Sequence, residues 1–414
     1  MKKLVIADLS QIATPVGSSA AKGADMNRLK VLGGGAIYAE DGVIRLVGTT
    51  DEVMRAAGDD AEIVDGTGKC AVPGFVDSHT HFIFGGYRPG EFISRLEGKQ
   101  YLEILKEGGG IQSTVKATRD TAFETLCRLG EQRLRSMLEQ GVTTVEGKSG
   151  YGLDLECELR QLRVMKTLSE YMPVDVVSTY LGGHAVPKEY KDDPDAYVAF
   201  MEEKVMPAIA AEKLAGFCDV FCEDGVFSIE QSKRILLAGK KYGMRPKIHA
   251  DEIVSLGGGE LAAEVGACSA DHLLMVSQTG IEKLAESDTV AVLLPGTAFC
   301  MRKAYAPARK MIDSGCAVAL ASDFNPGSCF ASWIPLLFSL SSIYMGMTPE
   351  EALTALTLNG AAALGMAGDR GSIEPGKKAD INLLRFPDYR FLVYHTCANI
   401  VDTVIKDGEI VHAV

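Results

Sequence analysis

The sequence predicts an α/β fold, a (β/α)8 TIM barrel with a small β-sandwich domain built from both chain ends. Three observations lead there. From about Val72 to Gly371, eight short apolar runs alternate with amphipathic helical stretches, the pattern of βα units around a parallel sheet. The two ends of the chain read instead as short strands and turns. Finally, five of the seven histidines lie just after one of the eight runs, where a barrel of this kind gathers its active-site loops.

Taken in order, the opening segment carries β-type runs at Lys3 to Ala7 and Val43 to Thr49, separated by glycine-rich turns such as Gly33-Gly34-Gly35, with almost no helical periodicity. The barrel runs end near Asp77, Glu146, Tyr180, Cys222, Ala250, Asp271, Leu294 and Ser322. Helices such as Thr121 to Gln140, Glu158 to Tyr171 and Glu230 to Tyr242 fall between them, and Gly141 and Gly243 supply C-terminal stops. In the tail, Ala379 to Leu384 and Val401 to Val411 read as strands, with Asp407-Gly408 as a hairpin turn. The expected division is therefore residues 1–71 plus 372–414 as a composite β-sandwich domain and 72–371 as the barrel. Phe330 to Met345 is an apolar helix, read as core by default with a subunit contact as the other option.

Composition narrows the partners. A chain of 414 residues with 47% hydrophobic content can bury a sizeable core. A formal net charge of -13 argues against nucleic acid and against an anionic membrane, both of which attract basic surfaces. A small-molecule partner is expected. No export signal is expected, because the apolar stretch after Lys2 and Lys3 is only Leu4 to Ala7 before Asp8 interrupts it. The ten cysteines are scattered without a CxxC pair, which suits reduced, buried thiols and a cytoplasmic location.

The chemistry-bearing residues sit at strand ends: His79, His81, His184, His249, His272 and Asp323. In Asp77-Ser78-His79-Thr80-His81, two histidines two apart on an extended segment point the same way, so both imidazoles can reach one ion. An HxH pair alone is weak evidence of a metal. Joined by a nitrogen from His249 and an oxygen from Asp323, it makes a metal shell suited to zinc or iron, with a position left for water. Glu252, three residues beyond His249, is the candidate general acid/base, and His272 the candidate stabiliser of developing oxyanion charge. For both, the bland alternative is a solvated loop residue. His395 and His412 lie in the tail and read as structural. Neither Gly85-Gly86 nor Gly257-Gly258-Gly259 matches a phosphate-cradling pattern.

With these residues assembled, the chain resembles the amidohydrolase superfamily and, within it, the imidazolonepropionase family, over essentially its whole length. The motifs that carry the resemblance begin with Asp77 to His81, Gly85-Gly86-Tyr87-Arg88 and Lys148-Ser149-Gly150-Tyr151-Gly152-Leu153. They continue with Gly182-Gly183-His184-Ala185-Val186-Pro187, His249-Ala250-Asp251-Glu252 and Ser322-Asp323-Phe324-Asn325-Pro326-Gly327-Ser328. The resemblance implies hydrolysis of 4-imidazolone-5-propanoate to N-formimidoyl-L-glutamate in histidine breakdown, without release of ammonia. It implies substrate contacts by Arg88, Tyr151, His184, Glu252, Asn325, Gly327 and Ser328. Arg88 offers a fork suited to a carboxylate, although without the family match it would read as a solvated loop charge. A homodimer is expected from the family and from the frequency of two-fold oligomers.

The fourth run, Phe217 to Asp224, holds no lysine where two-metal relatives carry a bridging one, so a single metal is expected. Lys148 is expected to hold an anionic group or pair with an acidic neighbour, and Glu223 to serve in a loop or outer shell rather than as an extra ligand. The rival reading is an aminohydrolase that removes ammonia from a purine or pyrimidine with the same metal residues. A non-catalytic assembly protein on the same barrel is a third, disfavoured because every expected ligand is present.

Overall fold

The computed structural model describes residues 2–99 and 109–414. Five strands precede the barrel: β1 (Lys3–Pro15), β2 (Leu29–Glu40), β3 (Val43–Gly48), β4 (Glu62–Asp65) and β5 (Cys70–Pro73). The barrel strands are β6 (Phe75–Asp77), β7 (Val142–Lys148), β8 (Asp175–Gly183), β9 (Phe217–Cys222), β10 (Arg245–Ala250), β11 (Ser269–His272), β12 (Val290–Leu293) and β13 (Val318–Leu320). Three more close the chain: β14 (Ile381–Leu384), β15 (Val401–Lys406) and β16 (Glu409–Ala413).

Strands β6 to β13 pair in sequence order, every pairing parallel. Runs such as Val290-Ala291-Val292-Leu293 are buried throughout, as strands covered on both faces must be. The seam between β13 and β6 is closed by the polar strand ends. Asp77 accepts from the Ser322 backbone N–H at 2.9 Å and the Ser322 hydroxyl at 2.6 Å. Beyond it, His81 N–H donates to the Phe324 carbonyl at 2.9 Å and Asp323 N–H to the His79 carbonyl at 3.0 Å. The first and last strands are thus laced together at the residues expected to hold metal.

The intervening helices carry their own start and stop signals. Asp154 caps Leu155–Tyr171, Ser228 forms a capping box on Ile229–Lys241, and Ser277 caps Gln278–Glu286, each cap worth about 1 kcal/mol. Gly141 (φ 90°) and Gly243 (φ 81°) turn the chain after their helices. Gly141 has a second reason: a Cβ there would meet the Asn382 side chain at 2.4 Å. Strands β7, β8 and β11 run slightly past the expected ends, to Lys148, Gly183 and His272.

Two expectations for the opening segment are corrected. Gly33-Gly34-Gly35 is not a turn; it lies inside β2, paired to β1 with Gly33 opposite Gln11 and Gly35 opposite Leu9. Glycine is required because a Cβ on Gly35 would come within 2.8 Å of the Gly48 carbonyl oxygen as β3 crosses close by. The segment also holds a helix, Thr50–Ala57, whose capping box of Thr49 and Glu52 was a legible signal. Its buried Val53 and Ala57 pack on Val5, Ala36 and Tyr38.

Both chain ends build one mixed sheet, in the order β16-β15-β14-β5-β1-β2-β3 with β4 on β1. A bridge from Val43 to Lys378 brings its far edge back to the segment before β14. Leu4, Ile6 and Leu9 thereby meet Ile381, Leu383 and Ile405 in a shared core. Strand β5 leads through Gly74 directly into β6, so this sheet anchors the first barrel strand. The two parts are also joined by charge: Lys406, 3.0 Å from Asp380 of its own sheet, lies 2.9 Å from Asp175 on β8, with which Arg370 also pairs. Lys406 and Asp380 are each 4% exposed. Lys406→Met is expected to cost about 3 kcal/mol, because it strands a buried carboxylate; urea unfolding at pH 7 measures it, and an unchanged midpoint would show the pair to be irrelevant.

The apolar helix starts later than expected, at Ile334, and ends at Ile343. Ile334, Leu337 and Phe338 are core, whereas Phe330, Trp333 and Tyr344 are exposed. No helix among the described residues is long and apolar enough to cross a membrane.

Candidate metal centre

The eight strand ends bring His79, His81, His249, His272 and Asp323 to one place. Their imidazole centroids lie 4.5 Å apart for His79 and His249, 5.2 Å for His79 and His81, and 5.2 Å for His249 and His272. All five residues are buried. His272 (φ 76°) and Asp323 (φ 50°) sit in the left-handed region, a strained geometry that surrounding structure must hold and that is common at functional sites.

A carboxylate flanks each of two rings, through a hydrogen bond at His79 and an ion-pair contact at His249. His79 Nδ1 donates to Asp271 Oδ2 at 2.6 Å, and His249 Nδ1 lies 3.0 Å from Asp219 Oδ2. A carboxylate on Nδ1 takes the N–H and leaves the Nε2 lone pair for a metal. His79 Nε2 and His81 Nε2 face each other at 3.3 Å. Asp323 Oδ1 is 3.6 Å from the first and 3.4 Å from the second, while its Oδ2 accepts from the Thr297 hydroxyl at 2.6 Å. Among the described residues, neither ring nitrogen of His249 has a hydrogen-bond partner although the side chain is buried. Lone pairs converging without donors are what a cation satisfies. The residues present could hold a divalent metal ion: His79, His81 and Asp323 form one mutually close set, and His79, His249 and His272 another, the two sharing His79.

The electrostatics agree. Burial, with Lys148 and His249 next, holds His79 well below the usual imidazole range. Burial also lowers His249, to about 4, against an opposing pull from Asp219. For Asp323, burial pushes upward but His81, His272 and Thr297 outweigh it and bring the carboxyl to about 2. His79, His249 and Asp323 are thus favoured in the unprotonated forms that metals need. Glu252 moves the other way: burial raises its pKa, as a proton carrier near neutral pH requires. Its Oε2 stands 3.7 Å from His272 Nε2, and the side chain is 23% exposed, so it faces the mouth.

The residues implied for substrate line that mouth. His184 stacks on His81 at 5.0 Å and 17°, and Nδ1–H donates to the Gly150 carbonyl at 3.1 Å. Tyr151, 3% exposed, is packed against His184 and Phe84 rather than lying with its hydroxyl free in water. Arg88 lies over Gly327, where a Cβ would come 1.6 Å from Nη2. Its Nη1 is 3.4 Å from Glu91, and its buried Nε has no partner among the described residues. Asn325 is fully engaged within its own loop: Oδ1 accepts from the Gly327 and Ser328 N–H groups at 2.8 Å each, and Nδ2 donates to the Asp323 carbonyl and the Ser328 hydroxyl. It shapes the loop that presents Gly327 and Ser328.

Sequence reasoning missed the supports. Asp271 and Asp219 hold the two histidines. Glu158, 1% exposed, accepts the N–H groups of Gly150, Gly152 and Leu153 and so shapes the Tyr151 loop. Asp251 accepts from four successive N–H groups, Leu256 to Gly259, behind Glu252. Glu223 accepts from Ile253 N–H at 2.8 Å and Val254 N–H at 3.3 Å, a loop role beside Glu252. Asp271 carried a signal, being the residue before a strand-end histidine, and the loop role of Glu223 is the one expected; Asp219 acts across strands, and Glu158 and Asp251 act through loop backbone that no spacing reveals.

A parallel barrel whose strand ends gather histidines and an aspartate into a cation site defines an amidohydrolase, and the model of that family, the "Amidohydrolase family", matches residues 223–411. The fold is shared with an atrazine chlorohydrolase mutant from Arthrobacter aurescens complexed with zinc and atraton (TM-score 0.72, 15% identity, 99% of this chain and 95% of that one). It is shared too with guanine deaminase of E. coli (TM-score 0.74, 12% identity, 100% of both). Among curated proteins, the imidazolonepropionase of Parabacteroides distasonis is 57% identical over 99% of this chain and 98% of its own length. That of Clostridium tetani is 52% identical over 100% and 99%. The chain belongs to the imidazolonepropionase family.

Proposed function

We propose that the protein opens the cyclic amide of 4-imidazolone-5-propanoate with water, giving N-formimidoyl-L-glutamate in histidine breakdown. The observation that carries this reading is the 57% identity to an imidazolonepropionase across 99% of the chain. The barrel, residues 72–371, is the catalytic unit, and residues 1–71 with 372–414 form the composite domain that supports it.

His79, His81, His249 and Asp323 would hold one divalent ion, zinc or iron, since three imidazoles and a carboxylate suit either. Such an ion polarises a carbonyl and makes a water molecule more acidic. Glu252 takes the proton of the attacking water and returns it to the ring nitrogen as the amide bond breaks, because an amide nitrogen leaves poorly unless protonated. His272 donates a hydrogen bond to the oxygen on which negative charge develops. Arg88 binds the propionate carboxylate; its buried Nε–H has no partner among the described residues and is free to donate to an anion. Tyr151 and His184 hold the ring, and the loop of Asn325, Gly327 and Ser328 carries Arg88's platform and the second wall of the site.

The purified enzyme, loaded with zinc, is to be given freshly generated imidazolone propionate while its ultraviolet absorbance is followed. A product heavier by one water with no ammonia supports the lactam reading. Ammonia release would move the protein to the aminohydrolases, and no conversion by a metal-filled site would remove this substrate. A companion prediction concerns Gly327→Ala. Because the added methyl displaces only the end of a flexible arginine, Tm stays near wild type while KM rises about 10–100-fold, the loss of one charge-assisted hydrogen-bonded contact. Arg88→Ala should match it; an unchanged KM in both would remove Arg88 from the site.

A further inference from the structure

Below the candidate metal ligands, the barrel interior holds a layer of fully buried charge: Glu146 and Lys148 on β7, Asp219 on β9, Lys247 on β10 and Asp271 on β11, all 0% exposed. Inward-facing barrel positions are normally filled by branched apolar residues, and buried ions are costly unless fully paired. This layer is paired. Lys148 Nζ is 3.0 Å from Glu146, 2.7 Å from Asp219 Oδ2 and 3.5 Å from Asp271 Oδ2. The ammonium donates hydrogen bonds to Glu146 and Asp219 and makes an ion-pair contact with Asp271.

The particular oxygens matter. Asp219 Oδ2 is the atom 3.0 Å from His249 Nδ1, and Asp271 Oδ2 is the atom 2.6 Å from His79 Nδ1. One ammonium therefore touches both carboxylate oxygens that orient two histidines contributed by β6 and β10, strands that are not neighbours in the sheet. Lys247 is equally buried, but its contacts are Glu146 at 3.2 Å and the Ser78 carbonyl at 3.3 Å; it forms no ion pair or hydrogen bond with Asp219 or Asp271 among the described residues. Lys148 is fully buried.

We propose that Lys148 is a positioning residue for the metal centre: its ammonium clamps Asp219 and Asp271 together, so that His249 and His79 present Nε2 to a common point. The proposal rests on the reading of this cluster as a metal site. Groups that hold the far nitrogen of a ligating histidine are worth about 10–100-fold in metal affinity, and the clamp acts on two of them at once.

The test compares full-length wild type with Lys148→Met, Lys148→Gln and Lys247→Met, each stripped of metal. Zinc affinity is measured by chelator competition, the visible spectrum by cobalt substitution, and folding by thermal melting of the stripped protein. Lys148→Met and Lys148→Gln are expected to weaken zinc binding about 10–100-fold and to change the cobalt spectrum. Lys247→Met is expected to lower Tm while keeping zinc affinity within about twofold. If Lys148→Met fails to fold, Lys148→Gln, which keeps a donor in a similar volume, decides. Wild-type affinity and spectrum in a folded Lys148 variant would overturn the clamp while leaving the metal site intact. Equal losses in the Lys148 and Lys247 variants would overturn it as well, reducing it to general stability. Failure of the wild type to bind zinc or cobalt would overturn the site reading itself.

Discussion

Glu252→Gln is expected to lower kcat by about 10²–10⁴-fold, the range for a positioned proton carrier, while KM and bound metal stay near wild type. The amide keeps the shape of the side chain and cannot move the proton. Burial raises the Glu252 pKa above its ordinary value, so the sign of the pH effect follows. The carboxylate must be ionised to accept the proton, and activity is lost as pH falls through that raised pKa. The acid limb of kcat/KM should therefore lie above the ordinary glutamate value of about 4.3, and it should vanish in the variant's residual activity. A Glu252→Gln enzyme with wild-type turnover would transfer the role to another group, His272 being the nearest.

His249→Ala should have the second large effect, reducing activity to background together with metal content. Its Nε2 is the ligand atom without any other partner among the described residues, and its removal also leaves the buried Asp219 without the ring beside it. Because the ion binds only the folded arrangement, linkage predicts that zinc at about 100 times its Kd stabilises the wild type by about 2.7 kcal/mol and the variant by almost nothing. Calorimetry with and without zinc, alongside metal analysis, measures both. A variant that retains stoichiometric zinc would show that His79, His81, Asp323 and His272 suffice.

The candidate site was legible where chemistry and strand order coincide. His79 and His81 announce themselves by alternation on one strand, and His249, His272 and Asp323 by standing at the ends of predicted runs. Lys148 was expected to pair with an acidic neighbour, and it does, but its three partners come from β7, β9 and β11, and no local pattern joins residues 146, 219 and 271. Arg88 was legible only through the family's motif; its perch on Gly327 is a contact between loops 239 residues apart in sequence. Asn325, implied by the motif as a substrate contact, also holds its own turn with its side chain, a local bonding of amide to backbone that the motif does not reveal.

By itself the sequence determined the barrel, the joining of both ends in one sheet and the candidate ligands. Each of these is written in short-range signals: hydrophobic period, capping residues, and polar residues placed after apolar runs. Only the tertiary structure decided which atoms of those ligands meet, how β2 passes through its three glycines, and what holds the histidines in place. Those outcomes depend on angles and oxygens brought together by eight strands closing on one another. A hydrogen bond of 2.6 Å between His79 and Asp271, 192 residues apart, is set by that closure and by no property of either residue's neighbours in the chain.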